Sequence, residues 1–230
     1  MLKGLLFDKD GTLFDFAATW NTWALGVMHE LSGGDQDCIR AMARATRYDL
    51  ENRRYLPDSP VIAGTNREAA ELLLSQLPGR DLAEVERILS EAAARAPLVP
   101  ATPLVPLLDG LRDRGLALGV MTNDSEFSAR AQLRKAGVED YFPFLAGFDS
   151  GHGSKPDPDP LLAFARHAGL RPRQVAMIGD STHDLIAGRA AGMFCVGVLT
   201  GVAPAEELTP YAHIILPDIG HIPSWLDSIA

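Results

Sequence analysis

Short, almost uninterrupted apolar runs in the C-terminal part of the chain constrain the fold most strongly. They occupy residues 116–121, 174–179 and 193–198, and a shorter run follows at 213–216. Strands that are apolar on both faces are covered on both sides, and helices between them connect parallel neighbours. The pattern predicts an α/β fold in which helices sandwich an open parallel sheet.

Helix boundary signals between these runs support the same fold. Residues 125–135 carry a helical pattern that starts at Ser125, a good N-cap, and stops before Gly137. Residues 182–191 form a second such segment, which ends at Gly192. Each apolar run with its following helix is therefore predicted to be one β-α unit.

The region between residues 16 and 100 has a different pattern. Long helical periodicities occupy 17–31, 35–48, 67–77 and 82–96, and no convincing strand separates them. A proline-rich segment at 97–106 is interpreted as a return linker. We therefore expect residues 1–15 and 101–230 to form the α/β core, and residues 16–100 to form an inserted helical domain.

The N-terminal apolar run ends in two closely spaced carboxylates. Leu5, Leu6 and Phe7 are followed by the segment Asp8-Lys9-Asp10-Gly11-Thr12. Gly11 lets the backbone turn, so that Asp8 and Asp10 can address one bound group. An ordinary Asp-Gly turn is the structural alternative. Because close carboxylates repel, we expect one to hold a proton or a cation to neutralise both.

Polar residues also follow the other predicted strands, and Lys155 follows the loop at residues 151–154. In open parallel sheets, ligands bind outside the carboxyl ends of the strands, so these residues should lie close together. Clustered carboxylates suit Mg²⁺, whereas a lysine and a threonine suit the oxygens of a phosphate group. The sequence thus predicts a phosphoryl site, whose members are Asp8, Asp10, Thr122, Asn123, Lys155, Asp180, Ser181 and Asp184.

Composition narrows the classes of partner. The 230 residues are 47% hydrophobic and carry a formal net charge of -9, which disfavours binding to nucleic acid. Cys38 and Cys195 are too far apart in sequence and context to suggest a disulfide framework. No stretch approaches the roughly 18 apolar residues that span a bilayer. We expect a cytoplasmic monomer or homodimer that contacts no membrane.

The ordered set of motifs resembles the four signature regions of haloacid dehalogenase superfamily phosphatases. The matching segments are residues 8–13, Thr122-Asn123, Lys155-Pro156 and residues 179–184, in the family's order. The helical insertion resembles the α-helical cap of the phosphoglycolate phosphatase-like enzymes. Such a cap closes over the site and excludes water, which implies a small phosphorylated metabolite as substrate.

The resemblance implies roles for the reacting residues. Asp8 would attack phosphorus and become an aspartyl-phosphate, and Asp10 would protonate the leaving alcohol and later deprotonate water. Thr122 and the backbone around Asn123 would hold phosphoryl oxygens. Lys155 would offset negative charge on the phosphate and on Asp8.

The resemblance also implies a magnesium site. Mg²⁺ would be held by the Asp8 carboxylate, the Asp10 backbone carbonyl and Asp180, with Asp184 assisting from behind or through water. The ion would permit one anion to attack another.

Two further features narrow the reaction. Dehalogenases in the strict sense lack the second acid, so Asp10 favours phosphate chemistry. Residues 16–100 contain no lysine, so the Schiff base of the carbon–phosphorus-cleaving relatives has no candidate there. The prediction is Mg²⁺-dependent hydrolysis of a small phosphomonoester, with 2-phosphoglycolate as the leading substrate. A sugar phosphomutase and a non-catalytic phosphometabolite-binding protein are the alternatives.

Five other side chains that could contact a substrate are expected instead to pack in the core or to lie on the surface. Trp20 and Trp23, three residues apart, are expected to belong to a core-facing stripe, and a substrate-facing aromatic pair is the alternative. Arg53 and Arg54 are expected to be solvated charges, and His183 is expected to be exposed to solvent.

Overall fold

The computed structural model describes residues 1–229 and contains a six-stranded parallel sheet with helices on both faces. The strands of this sheet are β1 (Gly4–Phe7), β4 (Ala117–Met121), β5 (Phe144–Ala146), β6 (Val175–Gly179), β7 (Phe194–Val198) and β8 (Ile214–Leu216). Their order across the sheet is β5-β4-β1-β6-β7-β8, with each neighbouring pair parallel. The predicted α/β fold class is confirmed.

The helices divide into two groups along the chain. Those between β1 and β4 are α1 (Phe16–Ser32), α2 (Gln36–Ala45), α3 (Asn66–Leu74), α4 (Leu82–Arg95) and α5 (Leu104–Asp113). Those after β4 are α6 (Glu126–Lys135), α7 (Asp159–His167), α8 (Thr182–Ala191), α9 (Ala205–Leu208) and α10 (Ile222–Ser228).

The helix boundary signals act as the sequence predicts. The Ser125 side chain accepts a hydrogen bond from the Ser128 backbone N–H and starts α6. Ser181 and Asp184 form a reciprocal capping box at the start of α8. Gly192, in the left-handed conformation at φ 73°, ends α8. These caps fix where α6 and α8 begin. They therefore also fix the short segments between each strand and its helix, in which the polar residues lie.

Alternation along β1 distributes its side chains over both faces of the sheet. Leu5 and Phe7 join one buried cluster, which includes Val120 and Ile178. Leu6 joins the cluster on the opposite face, which includes Phe164. Because both faces are covered, β1 is fully buried and holds the segment that follows it at the centre of the sheet edge.

The helices α1 to α4 have a hydrophobic core of their own. This core runs from Phe16 to Ala96 and includes Met28, Met42 and Leu89, all 1% exposed or less. We call these helices, with the connections between them, the helical unit. We propose that it corresponds to the helical domain expected over residues 16–100, inserted into an α/β core of residues 1–15 and 101–230.

Four local predictions are wrong. The region 16–100 does contain strands, since β2 (Tyr48–Asp49) and β3 (Arg54–Tyr55) form an antiparallel pair. The helix predicted over 35–48 ends at Ala45, because the chain turns into that pair, and the helix predicted over 67–77 ends at Leu74. Strand β5 was not predicted at all, since a three-residue strand is too short to give a clear pattern.

Within residues 1–229, none of the helices combines the length and apolar character needed to cross a lipid bilayer.

Candidate active site

The polar residues that follow the strands meet at one edge of the sheet. They come from β1, β4 and β6 and from the loop after β5, and with the helical unit they enclose one pocket. Seven of the predicted site residues line it, namely Asp8, Asp10, Thr122, Asn123, Lys155, Asp180 and Ser181. Asp184 lies behind this surface, completely buried, and contacts the pocket through Lys155.

A buried ammonium group joins two of the predicted carboxylates. The Nζ atom of Lys155 donates hydrogen bonds to Asp8 Oδ1 and to Asp184 Oδ1, each at 2.6 Å. All three side chains are buried. Burial lowers the pKa of Lys155, but the charges of Asp184 and Asp8 outweigh it, so the net direction is upward. Lys155 is therefore a permanent positive charge beside Asp8.

Asp8, Asp180 and Asp184 form a group that could hold a metal ion. One carboxylate oxygen from each lies within 4.8 Å of the others. Burial raises the pKa of Asp180, and the nearby charges of Asp8 and Asp184 raise it further. Burial also raises the pKa of Asp8, against the opposing effect of Lys155. Lys155 supplies one positive charge to this group, and a bound divalent cation would supply the further charge that keeps all three carboxylates ionised together.

The backbone around Asp180 keeps space for its carboxylate. A Cβ atom built on Gly11 would lie 2.3 Å from Asp180 Oδ2, and one built on Gly201 would lie 1.7 Å from the same atom. The Thr12 hydroxyl donates a hydrogen bond of 3.2 Å to Asp180 Oδ1. Side chains that supply only oxygen ligands, in a cradle lined by glycine, fit the preference of Mg²⁺ for carboxylates. The residues present therefore fit this ion.

Adding a methyl group at Gly201 is expected to weaken metal binding. In Gly201→Ala the new Cβ must displace the Asp180 carboxylate, so we expect an apparent Mg²⁺ affinity about 10- to 100-fold lower. Titration of phosphatase activity with Mg²⁺ measures this. Gly26→Ala is the matched control, because its Cβ meets nothing within 4 Å. Equal Mg²⁺ affinities for the two variants would contradict the claim that Gly201 leaves the space that the Asp180 carboxylate needs to bind the ion.

Asn123 ties the sheet edge to the helical unit. Its side-chain amide donates hydrogen bonds of 2.9 Å to the carbonyls of Ala63 and Lys155, and its Oδ1 accepts one of 3.0 Å from Lys155 N–H. The Asn66 N–H also donates to the Asn123 carbonyl at 3.2 Å. These contacts fix the loop that carries Lys155 and set the wall of the pocket above it.

Lys9 and Asp124 are site residues that sequence reasoning missed. Lys9 is completely buried, and its Nζ lies 2.7 Å from Asp10 Oδ2 and 3.2 Å from Asp124 Oδ2. It also donates to Gln132 and lies 5.3 Å from the centre of the Trp20 ring. The sequence signal that could have identified Lys9 is the alternation of side chains along an extended segment, which points Lys9 away from Asp8 and into the protein. Lys9 therefore fixes the side chain of Asp10.

Removing the Lys9 charge is expected to destabilise the protein. Lys9→Met leaves Asp10 and Asp124 buried without their cation, so we expect a loss of about 3–5 kcal/mol in the free energy of unfolding. Urea denaturation measures this loss. The control is Lys3→Met, because Lys3 is exposed and its replacement should stay within about 0.5 kcal/mol. A Lys9 variant as stable as that control would contradict the ion-pair account.

The helical unit covers the pocket with aromatic side chains, which confirms one prediction only in part and corrects another. Trp20 and Trp23 do pack within the helical unit, but both also line the pocket, together with Phe16 and Tyr55. His183, expected to be exposed, is half-buried and lines the same pocket. In both cases the helical unit folds over the sheet edge, a long-range contact that local spacing does not encode.

The pair Arg53 and Arg54 lies outside this pocket. Both arginines are exposed, as the sequence predicts.

Comparison with known proteins assigns the chain to a family. The sequence model of haloacid dehalogenase-like hydrolases matches residues 2–192, most of the chain. The chain belongs to this hydrolase family. Its sequence is 31% identical to that of the phosphoglycolate phosphatase of Shigella boydii and 30% identical to that of Escherichia coli K12. Each alignment covers 90% of this chain and 85% of the relative.

A solved structure of the family agrees. The haloacid dehalogenase-like hydrolase from Bacteroides fragilis superposes with a TM-score of 0.70 at 26% identity, over 96% of this chain and 100% of that one. By its family and its similarity to the two phosphoglycolate phosphatases, the chain is a phosphatase, which hydrolyses phosphoric monoesters.

Proposed function

We propose that the protein hydrolyses a small phosphomonoester with Mg²⁺ and through an aspartyl-phosphate at Asp8. The observation that carries this proposal is the Asp8 carboxylate, which is buried at the carboxyl edge of the sheet with Lys155 Nζ at 2.6 Å. The relatives' names make 2-phosphoglycolate the reference substrate to test first.

In the first step, an oxygen of Asp8 attacks phosphorus while the bond from phosphorus to the leaving oxygen breaks. Asp10, carrying a proton, gives it to the leaving oxygen, so that a neutral alcohol departs. Thr122 and the backbone around Asn123 hold phosphoryl oxygens, and Lys155 offsets the negative charge as the two anions approach.

In the second step, a water molecule attacks phosphorus and Asp10 takes its proton. The bond between phosphorus and the Asp8 oxygen breaks, which releases inorganic phosphate and restores the Asp8 carboxylate. Asp10 must therefore stand close to both the leaving oxygen and the incoming water. The contact of Lys9 with both Asp10 carboxylate oxygens, at 2.8 and 2.7 Å, restrains that side chain.

The magnesium ion would be held by the Asp8 carboxylate, the Asp10 backbone carbonyl and Asp180, with Asp184 assisting. When bound, it would neutralise charge on the phosphoryl group and on Asp8. The buried, oxygen-only cluster described above supports this assignment.

Phosphate release tests the proposal. The purified protein is assayed on 2-phosphoglycolate and on a panel of small phosphomonoesters, with Mg²⁺ and again with excess EDTA. We expect turnover that needs Mg²⁺. Full turnover in EDTA would contradict the metal assignment, and no turnover of any ester would contradict the hydrolase.

Two alternatives give different results in the same assay. A sugar phosphomutase would convert sugar phosphates when primed with a bisphosphate, without net release of phosphate. A phosphometabolite-binding protein would bind the ester and the metal but turn nothing over. Net phosphate release that is lost in Asp8→Asn separates the hydrolase from both.

A further inference from the structure

The helical unit covers the pocket mainly with apolar and aromatic side chains. Above the carboxylates, the helical unit contributes Phe16, Trp20, Trp23, Tyr55 and Ile62 to the lining. Trp20 and Trp23 pack edge to face, with ring centres 4.9 Å apart. Among the described residues of the helical unit, those that line the pocket include no lysine, arginine, aspartate or glutamate. The leaving group therefore meets an uncharged surface.

The cations close to the pocket are already neutralised. Lys155 is bonded to both Asp8 and Asp184 at 2.6 Å. Lys9 is paired with Asp10 and Asp124 and is completely buried. Neither ammonium group is therefore available to bind a second anionic group on a substrate that already carries the phosphoryl group.

The side-chain amides at the pocket wall are also occupied. The amide of Asn66 donates to the Glu86 carbonyl at 3.3 Å and to Ser90 Oγ at 3.1 Å. The amide of Asn123 donates to two backbone carbonyls, at 2.9 Å each. Unlike these amides, the buried Nε1 atoms of Trp20 and Trp23 and the Nδ1 atom of His183 have no hydrogen-bond partner in the described part of the chain. The unpaired nitrogen atoms of the lining thus belong to two neutral indole rings and one imidazole ring.

The groove next to the pocket has negative charge. It shares Ile62, Gly64 and His183 with the pocket and lies between the helical unit and the loop before α9. Its lining includes Glu68, Glu71 and Glu207, and among the described residues it includes no lysine or arginine. An anionic leaving group would meet repulsion on this side.

From this wall chemistry we infer that the preferred substrate has an uncharged, largely apolar or aromatic leaving group, and that a leaving group with a carboxylate is disfavoured. This inference rests on the proposed phosphomonoester hydrolysis and adds the class of substrate. Burying an unpaired carboxylate against such a surface costs free energy, whereas an aromatic ring gains contacts there.

Two esters that differ only in the group on the same carbon test the inference. Benzyl phosphate carries a phenyl ring where 2-phosphoglycolate carries a carboxylate, and both release a primary alcohol. The kcat/KM values are compared with Mg²⁺ at pH 8, where histidine side chains are ordinarily uncharged. We expect kcat/KM to be at least about tenfold higher for benzyl phosphate.

A charge placed in the wall should strongly reduce or abolish this preference. In Ile62→Lys an ammonium group enters the lining, so we expect the ratio of benzyl phosphate to 2-phosphoglycolate kcat/KM to fall by about tenfold or more. Val105→Lys is the matched control, because Val105 is 44% exposed on α5, away from the pocket lining. Its ratio should equal that of the unchanged protein.

The outcomes separate the two proposals. If the unchanged protein releases phosphate from 2-phosphoglycolate as fast as or faster than from benzyl phosphate, the inferred substrate class is overturned and the hydrolase stands. A ratio unaffected by Ile62→Lys in a folded variant also overturns it. If neither these esters nor the wider panel release phosphate, the proposed function itself fails, and the inference fails with it.

Discussion

The Asp8→Asn protein is expected to lose phosphatase turnover by about 10³-fold or more, while keeping its fold. An amide is a poor nucleophile toward phosphorus, so the aspartyl-phosphate should not form at this position. The substitution is nearly isosteric, so the hydrogen-bonded surroundings of the side chain should persist. Steady-state kinetics on the best ester of the panel, with circular dichroism as a check of folding, measures the effect.

A surface carboxylate provides the matched control. Asp227 is exposed and pairs with Arg114 at 2.6 Å, far from the pocket. Asp227→Asn should therefore keep the kcat/KM of the unchanged protein. If Asp8→Asn retained comparable turnover, Asp8 would not be the nucleophile, whatever the metal requirement.

The Lys155→Met protein is expected to lose both activity and stability. Without the ammonium group, Asp8 and Asp184 are buried as unpaired carboxylates, and we expect the free energy of unfolding in EDTA to fall by about 3–5 kcal/mol. The phosphoryl group also loses the positive charge beside the nucleophile, so kcat/KM should fall by about 10²- to 10³-fold. Urea denaturation and steady-state kinetics measure the two effects.

Lys3→Met controls for the loss of one positive charge, since Lys3 is exposed. That variant should match the unchanged protein in both measurements. A Lys155→Met protein with unchanged stability would contradict the ion pairs, and one with unchanged kcat/KM would contradict the assigned role of the lysine.

The sheet and its edge could be predicted because their signals are local. An apolar run such as residues 175–179 marks a buried strand, and Ser181 with Asp184 marks the helix that follows it. In a parallel sheet those two facts place Asp180 at the carboxyl edge beside Asp8. The grouping of Asp8, Thr122 and Asp180 follows from this topology alone, whereas Lys155 follows β5, a strand that the sequence did not predict.

The partners of these residues could not be predicted in the same way. Lys9 bonds Gln132, more than a hundred positions along the chain, and no local pattern announces that contact. The pair β2–β3 has only two residues in each strand, too few for alternation to show. The position of Trp20 over the site depends on how the helical unit packs on the sheet, which again is a long-range property.

The covalent intermediate at Asp8 is the central claim, and mass spectrometry tests it most directly. The Asp10→Asn protein is mixed with p-nitrophenyl phosphate and Mg²⁺ and quenched in acid. This leaving group departs without a proton, whereas the second step needs the base, so the intermediate should accumulate. We predict a peptide heavier by one phosphoryl group at Asp8. An unmodified Asp8 peptide, from a protein that had released p-nitrophenol, would contradict the account.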